Sequence, residues 1–289
     1  MLRPVVALLA SSLLLASTST RPAAGRIVFG ASGASPGRTA IYTVNADGSD
    51  PRQLTKNRAD HSPTWSPNGR SIIYVDGAVG RNGALVRMTA RGTDSEVLVR
   101  EPATSQSPID DPTWSPDSRR LAFTSSRLAT PQVWIFSFSG NPRPVTREFG
   151  VHPTWAPDSR RLAYAGQNGI FVVRSDGRRQ RLILGTSARD GAPVWSPNGR
   201  LIALRTLSAN GTNSLDVITP LGKRRRILAR AALIVPEAWS PTSSAVLFLR
   251  SDSTTSASPP RLYIVPLRGG RARPVVNTDG ATIGAAWHR

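Results

Sequence analysis

Apolar residues in this chain come in short runs, not in long helical stripes. After Trp155 the runs are "RLAYA" (161–165), "IFVVRS" (170–175) and "RLILG" (181–185), and after Trp195 they are "LIALRT", "LDVITP" and "RILAR". Each is rich in β-branched or aromatic residues and is bounded by Gly, Pro, Asn or Asp, the punctuation of strands joined by tight turns. None is long enough to hold a stable helix. The pattern predicts a succession of antiparallel hairpins.

The hairpins repeat. "HSPTWSPNGR" at 61–70 returns as "DDPTWSPDSRR", "VHPTWAPDSRR" and "GAPVWSPNGR", and the repeat Trp falls at positions 65, 114, 155, 195, 239 and 287, with Trp134 alone outside the series. The resulting intervals of 49, 41, 40, 44 and 48 residues are the size of a four-stranded propeller blade. The chain starts on three strands, "RIVFGAS", "AIYTVNADG" and "PRQLTK", and stops on one, "GAAWHR". Those ends complete one blade. The expected fold is therefore all-β: a six-bladed β-propeller of four-stranded antiparallel blades over 26–289, closed by pairing the C-terminal strand with the N-terminal three, which removes open edges.

The motif itself reads as folding chemistry. A Trp closing an inner strand can bury on the order of 200 Å² between blades. In "SPNGR", Pro67 presets the first turn dihedral, Asn68 tolerates the second position and Gly69 supplies a left-handed residue. Ser118 and Ser159 stand where Gly69 and Gly199 do, so their turns should be strained or differently closed. The repeated "PTWSPNGRSIIYV", with "NADGSDPRQLT", resembles the Trp-Ser-Pro-Asp-Gly (WD40-like, PD40-type) repeat of TolB-like propellers, also found beside the hydrolase domain of prolyl-oligopeptidase-type enzymes. The resemblance covers the chain beyond its leader. It implies a solitary propeller without TolB's N-terminal α/β domain, and it is specific for the fold and not for function.

Residues 1–25 read as a signal peptide or N-terminal anchor. Arg3 precedes an apolar run at 5–16 of secretory length, too short for a typical membrane span, with Ser17 and Ser19 near a possible cleavage site. A periplasmic or secreted location follows, with membrane association peripheral at most. The chain has no Cys, which excludes a disulfide framework, thiolate metal ligands and a cysteine nucleophile. Its net charge is +19, yet only Lys56 and Lys223 among 37 basic residues are lysines. So arginine-heavy a composition is as much a mark of a GC-rich genome as of a binding face.

Two surfaces carry candidate chemistry. On the face of the "SPNGR" turns, basic residues outnumber acids, with Arg178, Arg179, Arg181, Lys223, Arg224, Arg225 and Arg226 the densest group. That face suits an anionic envelope component or an acidic protein. The loops entering each inner strand gather Asp60, His61, Asp110, Asp111, His152, Asp190 and Glu237 near one channel mouth. Such a mouth suits a protein partner's polar groups, and its mix of His and carboxylates could also hold a divalent cation. No metal, cofactor or catalytic residue is assigned. "GASPG" at 33–37 matches G-x-S-x-G, but Ser35 lies between predicted strands with no helix following. "NGT" at 210–212 and the low-complexity "SDSTTSASPP" at 251–260 read as loops. Nucleic acid is not expected, because no recognition motif is present and the aromatic residues are committed to blade cores. The reading is a monomeric extracytoplasmic binding module engaging a protein or envelope component through its channel mouth or basic face. The alternative is a propeller enzyme, of polysaccharide lyase or hydrolase type, needing convergent His, Asp or Arg side chains in the channel.

Overall fold

The computed structural model describes residues 25–32, 39–56, 59–78, 82–105, 107–185, 191–208, 211–253, 259–275 and 282–288. Residues 1–24 of the leader, Ser35, Asp190, Asn210 and 254–258 of the 251–260 loop lie outside them. Within the described residues, 24 strands and no helix form six four-stranded antiparallel sheets. The C-terminal strand Thr282–His288 pairs with Arg26–Ser32, so the first blade takes one strand from one end of the chain and three from the other. Blades two to six follow at 60–100, 110–144, 150–185, 191–231 and 233–274.

Period-two alternation in the central strands becomes inter-blade packing. In Ser71–Asp76, Ile72 and Tyr74 pack with Val28 and Ile41 of the first blade. Ile73 and Val75, on the opposite face, pack with Leu121, Phe123 and Trp134 of the third. The same arrangement places a core at each of the six blade junctions. Outermost strands are the weakest element: Arg52–Gln53, Arg143–Pro144 and Arg273–Pro274 have two residues each. Proline lacks the N–H that a longer ladder would require.

The repeat turns close as their sequence directs. Gly69 N–H donates to the Ser66 carbonyl, and the Asn68 side chain accepts from the Arg70 N–H and the Ser66 hydroxyl. Ser118, Ser159 and Ser243 keep the same left-handed backbone, with φ of 59°, 55° and 58°, a conformation costly for residues with a Cβ. Two of these serines reach a neighbouring blade: the Asp117 N–H donates to Ser159 Oγ at 3.0 Å, and the Asn198 N–H to Ser243 Oγ at 3.1 Å. Strain at the turn is offset by a bond between blades.

The motif tryptophans pack at the same junctions. Trp155 Nε1 donates to the Thr113 carbonyl at 3.3 Å and Trp239 Nε1 to that of Val194 at 2.9 Å, in each case on the preceding blade. Trp114 is less buried and stacks on Phe138 instead, centroids 5.2 Å apart. Arg120 and Arg161, which the sequence places on the basic face, lie over Trp155 and Trp195 of the following blade at 4.8 and 5.3 Å, where a guanidinium gains from the ring's electron-rich face.

Candidate functional site

Innermost in each blade is its first strand: Asp60–Trp65, Asp110–Trp114, Gly150–Trp155, Gly191–Trp195, Leu233–Trp239 and Thr282–His288. Their Trp ends and the prolines that follow line one channel cavity of about 460 Å³. Their opposite ends line a second, of about 370 Å³, which carries the candidate polar residues.

The backbone at that polar end is unusual. Three positions before the motif Trp, five blades have φ between 48° and 66°, at Ser62, Asp111, His152, Ala192 and Gly284. The strand register slips at the same place, so each is a β-bulge. Proline follows in blades two to five, at Pro63, Pro112, Pro153 and Pro193, where a bulge leaves no ladder bond for its missing N–H. The sixth blade has Pro236 at the bulge position, where proline cannot adopt a positive φ. Glu237 stands where blades two to five have proline, and it accepts the N–H of Ala285, its counterpart in the first blade, at 2.7 Å.

These bulges aim side chains across blade junctions. Asp111 and His152 form a pair with His152 Nδ1 at 3.0 Å, and the other Asp111 oxygen accepts from the Thr124 hydroxyl and the His152 N–H. Asp111 pulls the His152 imidazole up to about 9 against the opposing effect of burial, so it is charged at neutral pH. One junction earlier, Asp110 accepts from the Ser62 hydroxyl at 2.7 Å and lies 3.5 Å from His61 Nδ1. Burial works against the charged forms of both partners, yet their mutual attraction holds His61 above the ordinary histidine range and Asp110 below the ordinary carboxylate range. Glu237 goes the other way. Burial, helped by the charges of Asp111 and Asp110, pushes it up to about 8, so at neutral pH it keeps its proton.

Of the seven residues expected at the mouth, Asp110, Asp111, His152 and Glu237 line the cavity. His61 stands behind Asp110, and Asp60 is buried at 3% exposure. Ser62, Thr282 and the glycine and alanine bulges also line it and were not anticipated. Aligning the repeats on Trp and reading the third residue before it would have found Ser62 and the bulges, but not Thr282, which lies five residues before Trp287. No Lys or Arg is among the described residues that line this cavity, although the chain as a whole is strongly basic. Among the described residues no three His, Asp or Glu side chains come together as a metal-ligand set.

Comparison with known proteins decides the family resemblance. The family model described as "TolB beta propeller domain" matches residues 100–243. TolB from Acinetobacter baumannii superposes with a TM-score of 0.79 over 92% of this chain and 67% of that one, at 18% identity. The chain is a TolB-like six-bladed β-propeller. A segment of 165 residues is 30% identical to the Tol-Pal system protein TolB of Anaeromyxobacter dehalogenans, covering 54% of this chain and 37% of that protein. The chain spans about a third of the length of the first curated relatives it matches, 34% and 37%. An oligogalacturonate lyase from Vibrio parahaemolyticus shares the fold more distantly, with a TM-score of 0.56 and 14% identity over 83% of this chain and 71% of that one.

On the opposite face of the TolB-like propeller, the basic group divides in two. Arg225 is paired with the fully buried Asp216 and donates to the Thr206 hydroxyl at 2.9 Å. Arg226 donates to the Leu267 carbonyl, and Arg181 to that of Pro220 at 3.1 Å. Arg178, Arg179, Lys223 and Arg224 are exposed at the tips of two equivalent turns, with Arg179 and Arg224 at φ of 55° and 57°. Of the seven basic residues named for this face, these four have side chains with no hydrogen bond or ion pair to the described residues.

Proposed function

We propose that this TolB-like propeller is a non-catalytic, extracytoplasmic binding module that receives a segment of a cell-envelope protein in its polar channel mouth. One observation carries the reading: in the cavity Asp111 and His152 pair across a blade junction on bulged, left-handed backbone, and Asp110 is paired across the junction before it with His61 behind it. Such a mouth is rigid before its partner arrives, which lowers the ordering cost of association. It offers the His152 imidazolium, the Glu237 carboxyl proton, hydroxyls and carboxylate oxygens to polar groups of a polypeptide. The secretory character of the leader and the likeness to Tol-Pal system proteins support a periplasmic or secreted setting. The four exposed cations of the opposite face give a second contact with anionic envelope material.

The enzymatic alternative has less support. Proton abstraction from an anionic sugar is favoured by an unprotonated base together with a cation beside the substrate's carboxylate. Here His152 holds its proton at neutral pH, and the described residues that line the cavity include no lysine or arginine, Arg205 acting on His152 from outside that lining. The test is affinity capture from the envelope of the source organism with the native chain and with an Asp111→Ala/His152→Ala double variant, which removes both members of the pair and leaves neither unpaired. A partner retained by the native chain and lost by the folded variant supports the channel mouth. A partner held equally by both argues against it.

A further inference from the structure

A third cavity, of about 300 Å³, opens on the rim of the fourth blade, away from the channel. Glu148 and Phe149 reach it from the segment entering Gly150–Trp155, Gln167 and Asn168 from the two-residue turn joining Arg161–Gly166 to Gly169–Arg174, and Gln180 from the start of the outer strand. Tyr164 and Phe171, stacked at 5.4 Å and 17°, complete the lining. Two glycines make room for those rings. A Cβ on Gly166 would lie 2.6 Å from Phe171, and one on Gly150 would lie 3.0 Å from Tyr164.

Polar groups here are left without partners. Elsewhere in this propeller, turn side chains close their own turns: Asn68, Asp176 and Asn198 each accept the N–H two residues on. Asn168 sits in a turn and does not do so. It shares with Glu148, Gln167 and Gln180 the absence of any side-chain hydrogen bond among the described residues. Tyr164 is only 2% exposed yet is part of the cleft lining, and its hydroxyl has no hydrogen-bond partner among the described residues. Burial, with the nearby charge of Glu148, pushes that hydroxyl up from the ordinary phenol range, so it remains a donor.

We propose that this rim cleft is a saccharide site for one uncharged hexopyranose ring. Three amides, a carboxylate and a phenol supply donors and acceptors side by side, as adjacent sugar hydroxyls require. Phe149, 39% exposed, and the partly buried Phe171 supply an apolar surface for the C–H face of the sugar. The volume is at the lower end of the range for small-molecule pockets, which suits a single ring. Glu148, with no cation among the described residues of the lining, disfavours uronates and sugar phosphates. The proposal does not rest on the channel mouth.

The test is saturation-transfer difference NMR on the full chain with the methyl β-D-glycosides of glucose, galactose, mannose and N-acetylglucosamine at roughly 5 mM each, a concentration suited to weak sites. Expected is transfer to the ring C–H protons of at least one glycoside, with affinity reduced about five-fold or more by Phe149→Ala and by Gln167→Ala/Asn168→Ala. These residues lie at the surface, Phe149 being 39% exposed, so unchanged denaturation midpoints verify folding. Asp111→Ala/His152→Ala should leave this binding intact, which separates the cleft from the channel reading. Absence of transfer to all four glycosides, or transfer unaltered in the rim variants, overturns the proposal.

Discussion

Across the junction of the third and fourth blades, His152 Nδ1 lies 3.0 Å from a carboxylate oxygen of Asp111. Both residues occupy bulge positions, with φ of 52° and 54°, so the pair is set by backbone as well as by charge. Its pH signature follows from linkage. A histidine raised from 6.5 to about 9 contributes stability that is complete below 6.5 and lost as pH rises through about 9. Glu237, raised from 4.5 to about 8, acts in the same direction, its contribution complete below 4.5 and lost as pH climbs through about 8. The melting temperature should fall between pH 6.5 and 9, by roughly a few degrees for a domain of this size. Asp111→Asn should flatten part of that slope and bring the His152 midpoint down towards 6.5 in an NMR titration of the imidazole. A native melting temperature constant across this window would contradict the pairing.

Ring closure makes a second, local prediction. His288 on the closing strand packs 5.8 Å from the Trp65 ring and lies 3.2 Å from the Pro67 carbonyl. A Cβ on Gly69, whose φ is 68°, would fall 2.6 Å from His288 Cε1. Gly69→Ala should therefore cost about 2 kcal/mol, part from left-handed backbone and part from displacing the imidazole. In a His288→Ala background only the backbone part, about 1 kcal/mol, should remain. Equal penalties in the two backgrounds, measured by chemical denaturation, would mean that the imidazole does not sit on this turn.

The sequence makes the six-bladed frame legible because its signals are local and repeated. Trp65 and its counterparts end inner strands, Pro67, Asn68 and Gly69 dictate a turn, and alternation in 71–76 dictates two buried faces. The candidate site was legible only as a neighbourhood. No residue type announces the bulge, since Ser62, Asp111, His152, Ala192 and Gly284 share a backbone shape with little common chemistry. The choice of partners, His61 with Asp110 and His152 with Asp111, is made by blade geometry. Arg120 and Arg161 were misleading for the same reason: they look like free surface cations until the following blade places a tryptophan beneath them.

Serine in the repeat turn gives a third prediction. Ser159 is held at φ 55° while its Oγ accepts the Asp117 N–H from the third blade. Ser159→Ala keeps the backbone strain and loses the bond, for a cost of about 1 to 2 kcal/mol. Ser159→Gly loses the same bond but relieves roughly 1 kcal/mol of strain. The order of stability should be Ser, then Gly, then Ala. Equilibrium unfolding that places Ala above Gly would show that the left-handed cost at this turn is relieved in some other way.

Neighbouring arginines on the basic face should differ in kind. Arg225 is the ion-pair partner of Asp216, which is 0% exposed, whereas Arg224 and Lys223 are exposed at the turn. Arg225→Met leaves a buried carboxylate without its cation and should cost on the order of 2 kcal/mol or more, while Arg224→Met should stay within about 0.5 kcal/mol of the native chain. Binding should divide the opposite way. Reversing Arg178, Arg179, Lys223 and Arg224 to glutamate, with Arg225 kept, should abolish salt-sensitive attachment to vesicles containing phosphatidylglycerol without lowering the melting temperature substantially. Attachment that survives this reversal would remove the anionic surface from the partners of this face and leave its arginines with their packing roles over Trp155 and Trp195 and against Asp216.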